Sequence, residues 1–201
     1  MIYHFAEDYI RGSVSDAQLR ASFLQNFSSL LLKEFSVGPH ESQAIAGSVF
    51  HRMSSRSLWF HTPVHVLSSF QWCQENGIQI TPLQQLAFWF HDSVFVPHAE
   101  KGRNEEASAC FMRAMMSHFM ERNDLFDVEV MIRATADHVD PCEKRADCNL
   151  VLDLDLCNLA WDWRAQEGVQ YLLYEESFPQ GSGFYKQREG YLKKLKEQMN
   201  F

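Results

Sequence analysis

Two histidines stand four residues apart in the aromatic stretch WFHTPVHVL, as His61 and His65. A His91-Asp92 dipeptide closes the apolar run LAFWF, and two acids, Asp153 and Asp155, alternate with leucines in NLVLDLDLCNLA. An ionised carboxylate is expensive to bury without a partner, and neither LVLDLDLCNL nor LAFWFHDSVFV contains a Lys or Arg. The missing countercharge points to a metal ion. Imidazole with carboxylate is a ligand set for Mn, Fe, Co, Ni or Zn, with positions left open for water and substrate, and Mg is a candidate second ion.

Such groups meet only if separate segments carry them to one point, and the apolar spacing says that these segments are helices. Residues 16–35 place Leu19, Phe23, Phe27, Leu30 and Leu31 at intervals of three and four, behind Ser15 or Asp16 as a cap. A shorter helix follows in ESQAIAGSVFHRM. Pro63 then sits in the first turn of a helix that runs to Asn76-Gly77, and Thr81-Pro82 opens another that lines up Leu83, Leu86, Ala87 and Phe90. VFVPHAEKGRN reads as a loop. Helical spacing resumes in NEEASACFMRAMMSHFMER, in DLFDVEVMIRATADHV, in the buried CNLVLDLDLCNLAW, and over 165–177 and 184–199. NLVLDLDL alone could be a strand, for which nothing nearby offers a partner. The fold class is therefore all-α: one domain over 1–201, with N-terminal helices to 55, a metal-binding core over 56–160 and C-terminal helices from 161.

On helices, His61 and His65 share a face, and His91 follows Ala87 and Leu83 by one and two turns, pointing inward. Asp155 lies in the apolar stripe, one turn after Val151, and is preferred to Asp153 as a ligand. Asp153 then orients or pairs, with Arg164 as one partner. His138, at the end of ATADH, and Asp153 are candidates for a second metal or a phosphate oxygen. Lys101, Arg103, Lys144 and Arg145 are placed to hold phosphate oxygens.

The 201 residues are 46% hydrophobic and 22% charged, the balance of a globular protein, and the formal net charge is −8. An acidic chain is a poor partner for polymeric nucleic acid or an anionic membrane, but not for a small phosphorylated molecule beside a metal. No apolar run reaches about eighteen residues, and MIYHFAEDYI lacks the pattern of a signal peptide, so a cytoplasmic location is expected. Five cysteines without a CxxC pair read as free thiols. The aromatic content permits a homodimer.

The order His65, His91-Asp92, Asp155 resembles the H…HD…D signature of the HD superfamily of metal-dependent phosphohydrolases. FHTPVHV, LAFWFHDSVF, NEEASA, ATADH and LDLDLCNLA together resemble a bacterial group of that superfamily over about residues 56 to 190. HTPVH is also similar to a block of the cyclic-nucleotide phosphodiesterases. The resemblance implies His65, His91, Asp92 and Asp155 as ligands, His61 as proton donor to the leaving group, and Glu105 as the residue that orients or deprotonates water. It further implies a late substrate contact at Arg188. Phe60 and Leu58 depart from the group, which has Tyr and Arg there. The implied activity is hydrolysis of a phosphoester or phosphoanhydride in a small molecule, a nucleotide above all. The alternatives are a di-iron oxygenase of the same fold and a nucleotide-binding regulatory module with a non-catalytic metal.

Overall fold

Ser15 starts the first helix by accepting the backbone N–H of Gln18 at 3.3 Å, while the Gln18 side chain accepts the Ser15 N–H at 2.8 Å. This reciprocal cap satisfies two donors that a helix start leaves open. The computed structural model describes residues 14–140, 145–160, 169, 172–176 and 183–198. In it α1 spans Asp16–Glu34 and buries Leu19, Phe23, Phe27, Leu30 and Leu31, the stripe that the spacing predicts. Helix α2, Pro39–Met53, begins with proline at its first turn and packs Ile45, Ala46, Val49 and Met53 along α1.

Helix α3, Pro63–Glu75, follows the N-cap Thr62, and α4, Pro82–Phe90, follows Thr81, whose side chain accepts from Gln84 in a second reciprocal cap. Leu86, Ala87, Phe88, Trp89 and Phe90 of α4 are all buried. A helix apolar all round belongs in the interior, and α4 does contact α1, α5 (Arg103–Met116), α6 (Arg122–Ala134) and α7 (Ala146–Asp155). A 3-10 turn, Cys157–Ala160, and α8, Phe184–Gln198, complete the elements with full bounds, and 172–176 are helical. The described residues contain no strand. The fold is an all-α bundle.

Three local expectations change. The stretch 104–122 is not one helix: α5 stops at Met116, and the chain turns at 117–121 without Gly or Pro so that α6 can pack back along α5. Helix α6 ends at Ala134 rather than near 139, and Asp137 then accepts the N–H groups of Val139 and Asp140 at 3.0 and 3.1 Å, an Asx turn that carries His138. His61 lies before the N-cap Thr62 and so does not share a helix face with His65, whereas NLVLDLDL is helical in α7 as its lack of a strand partner implies, with its apolar residues packed on α4 and α6.

Aromatic rings hold α1 on α4. Phe27 stacks on Trp89 at 4.8 Å with planes 6° apart and meets Phe90 edge-on at 5.5 Å, while Phe23 meets Trp89 edge-on at 4.8 Å. Phe27→Ala is expected to cost about 3–5 kcal/mol, seen as a lower urea midpoint with an unchanged slope. A loss under about 1 kcal/mol would show that this ring does not join the two helices.

Candidate metal centre

Three elements deliver the polar cluster. His65 lies in the first turn of α3, where Pro63 and the Thr62 cap fix the helix start and the His65 N–H reaches the Thr62 carbonyl at 3.0 Å. His91 and Asp92 are the residues on which α4 ends, and Asp155 is the last residue of α7. Ser69 donates to the His65 carbonyl at 2.9 Å and accepts from the Cys157 thiol at 3.3 Å, which ties the turn after Asp155 to α3. Burial pushes that thiol up to about 12, so it packs and does not react. Gln84 donates to the Asp147 carbonyl at 2.9 Å and ties α4 to α7.

One ligand atom from each of His65, His91, Asp92 and Asp155 lies within 4.8 Å of the others. His91 is 1% exposed and stacks on Phe88 at 4.5 Å; its Nδ1–H donates to the Phe88 carbonyl at 2.7 Å. That bond fixes the tautomer and leaves Nε2 with a lone pair. Nε2 faces Asp92 Oδ2 at 2.8 Å and Asp155 Oδ1 at 3.4 Å, and His65 Nε2 lies 3.0 Å from the same Asp155 oxygen. The approach of His91 Nε2 to Asp92 Oδ2 is off the hydrogen-bond axis, and both atoms are buried without a hydrogen-bond partner. Lone pairs that converge on one buried point call for a cation there. The donor set fits a divalent transition ion.

The charges respond to this crowding. Burial opposes a charged imidazole, yet Asp92 and Asp155 hold His91 well above the ordinary histidine range. Burial would raise the Asp155 carboxyl, but the His91 charge and the bonds from His138 and His65 keep it well below the carboxylate range. Asp92 is lowered in the same way, with burial outweighed by His91 and His61. A proton on His91 thus supplies the positive charge that a cation in the cluster would bring, and would compete with one.

Around the cluster the structure sorts the remaining sequence candidates. His138 reaches it: its Nε2 lies 2.9 Å from Asp155 Oδ2, so the two oxygens of one carboxylate face opposite ways, His65 on one and His138 on the other. Asp153 is exposed and stands outside the cluster, one residue out of phase with the buried face. Glu105, half-buried near the start of α5, has its pKa raised by burial and by the charges of Asp92 and Asp155 against its own backbone hydrogen bond and His91. Arg188 of α8 is partly buried, which lowers its pKa, while Tyr191 and Asp155 raise it; its guanidinium lies 5.1 Å from the Tyr191 ring centre. It is therefore within electrostatic reach of the site.

The other cations are engaged elsewhere. Lys101 pairs with Asp137 beside His138, Arg103 reaches only Glu100 at 3.5 Å, and Arg145 bonds Asp127 and Asp147 at 2.8 and 2.6 Å. Lys144 and Arg164 lie outside the described residues.

His61 has a partner that no spacing reveals. Its Nδ1 meets Glu176 Oε1, and Glu176 Oε2 accepts the backbone N–H groups of Trp59, Phe60 and His61 at 2.8, 2.9 and 3.2 Å. Glu176 is 5% exposed. Three backbone donors and an imidazole hold its carboxyl below the ordinary range against the cost of burial. Desolvation lowers the His61 pKa, but Asp92, the bond and charge of Glu176, and Asp155 together raise it. Phe95 stacks on the ring at 3.8 Å, so the imidazole is clamped on a face and at one nitrogen. Glu176 stands in an unremarkable helical run, YLLYEESF, and Phe95 in a loop. Neither carries a local signal of its contact.

No described helix is long and apolar enough to cross a membrane. Comparison of the chain with protein-family models, with curated proteins and with solved structures returns no match.

Proposed function

We propose that the protein is a metal-dependent phosphohydrolase of the HD type, cytoplasmic and acting on a small phosphorylated molecule such as a nucleotide. The reading is carried by the convergence of His65, His91, Asp92 and Asp155 on one buried point, where His91 Nε2 and Asp92 Oδ2 have no hydrogen-bond partner. The resemblance of its motifs to that superfamily supports the same conclusion. A divalent ion held by these four side chains supplies Lewis-acid polarisation of a phosphoryl group and an acidified water.

The chain's own residues do the rest. Glu105, with a raised pKa, takes a proton from the attacking water. Arg188 offsets charge on the transferred phosphoryl oxygens. His61 has Nδ1 committed to Glu176, so its Nε2 is the atom that hands a proton to the departing oxygen.

The test is phosphate release from a nucleotide panel with Mg, Mn, Co, Ni and Zn. Asp92→Ala is expected to lose about 10²–10³-fold or more, the scale for removing one electrostatic stabiliser. Full activity in that variant would overturn the metal-centre assignment. One observation keeps a second reading in view: Asp155 is placed to bridge, with His65 and His138 on its two oxygens. Two irons per chain together with oxygen uptake would assign a di-iron oxygenase instead.

A further inference from the structure

His61 marks the side of the site from which a leaving group departs, and that side is apolar. Phe95 stacks on the His61 ring, and the next residue, Val96, is 57% exposed. Trp59, two residues before His61, is 49% exposed, and its backbone is anchored on the same Glu176 oxygen that holds the His61 backbone. Only two other large apolar side chains among the described residues are as open, Leu32 and Phe126, and they lie on α1 and α6.

The backbone at Val96 is held in place, as that at Trp59 is by Glu176. Asn104 accepts the Val96 N–H at 3.0 Å and donates to the Val96 carbonyl at 3.2 Å, while Ser108 accepts the Val94 N–H at 3.0 Å. Exposed apolar side chains on an anchored backbone beside a polar centre are a usual form of a recognition surface. The segments that build this rim, 57–70 and 91–100, contain no Lys or Arg. Arg188 lies within electrostatic reach of Asp155, so positive charge belongs to the phosphoryl side.

From this division we infer that the substrate is a phosphoester whose leaving group is an uncharged alcohol with a flat apolar body, seated against Trp59 and Val96. The inference rests on the phosphohydrolase reading. In the reaction a water oxygen bonds to phosphorus and its proton passes to Glu105. The bond from phosphorus to the ester oxygen breaks, and His61 Nε2 protonates that oxygen, which leaves as a neutral alcohol. Among the described residues of this rim a second phosphoryl group on the leaving side would meet no Lys or Arg, only the His61 imidazolium whose proton the departing oxygen takes. Anhydrides such as pyrophosphate are therefore the poorer substrates.

Benzyl and ethyl esters of phosphate, each as mono- and diester, test this, because their leaving alcohols are similarly poor and differ in the ring. With the full-length protein and its preferred ion, kcat/KM for the better benzyl ester should exceed that for the matching ethyl ester by about 10-fold or more, the size of one stacking contact. Trp59→Ala should bring the ratio close to one, and Trp59→Phe should restore most of it. An unchanged ratio in Trp59→Ala, or pyrophosphate turned over as fast as the benzyl ester, overturns the inference while the hydrolase reading stands. No turnover of any ester, of pyrophosphate or of the nucleotide panel with any ion sinks the hydrolase reading and this inference with it.

Discussion

Wild-type protein given Mn, Co or Zn at about 100 times its Kd should gain about 2.7 kcal/mol, or about 5–11 °C in Tm for a chain of this size, and Asp155→Asn should gain nothing. Asp155 is the only residue of the cluster that serves three imidazoles, with Oδ1 toward His65 and His91 and Oδ2 toward His138. An amide of the same shape keeps the packing but removes the charge and replaces an acceptor with a donor.

The pH dependence sharpens the result. In the metal-free protein the lowered carboxyls of Asp92 and Asp155 contribute stability that is present above the ordinary carboxylate pKa and lost as pH falls through their folded values. The raised His91 contributes stability that is present below the ordinary histidine pKa and lost as pH rises through its folded value. Metal-free stability should thus decline toward alkaline pH, where the ion meets least competition from the proton. The metal-induced rise in Tm grows with pH accordingly. Thermal melts with and without metal across that range check it, and an equal rise in Asp155→Asn would remove Asp155 from the ligand set.

His61→Asn should lower kcat by about 10²–10⁴-fold on an alkyl ester, the range for a positioned general acid, yet by far less on a p-nitrophenyl ester, whose leaving group needs no proton. His61 must be protonated to act, so activity is present below its folded pKa and falls as pH rises through it. The charges that raise this pKa against desolvation are Asp92, Glu176 and Asp155. A bound cation offsets the first and last, which leaves Glu176 as the anion that keeps His61 protonated. Glu176→Gln retains an oxygen for the N–H groups of Trp59, Phe60 and His61, and should move the alkaline limb of the kcat profile to lower pH. A profile that drops in height without moving would assign Glu176 a role in packing only.

Helix after helix was legible in the spacing because each stripe must cover one core: the interval that brings Leu19 to Phe23 and Phe27 has no other use on a folded chain. The four cluster residues were legible for a related reason. Asp92 and Asp155 are embedded in apolar sequence with no cation nearby, and burial turns that absence into a demand for a partner. Glu176 is the counter-example, since its contacts lie 115 to 117 residues away and its neighbours look like those of any surface helix. Surface cations failed as guides in the opposite sense. Lys101 and Arg145 had the right charge near the right motifs, but each had a closer acid that only the fold reveals, Asp137 for one and Asp127 for the other. The break after Met116 was hidden as well, because the demand that α6 return along α5 overrides local propensity.

The four residues of the cluster come from α3, the end of α4 and the end of α7, segments far apart along the chain. An ion bound to all of them acts as a removable staple. It would tie the ends of these segments together only in the folded state, so its binding free energy would add to folding stability, without an oxidising compartment. Metal supply would then govern how long the folded protein endures.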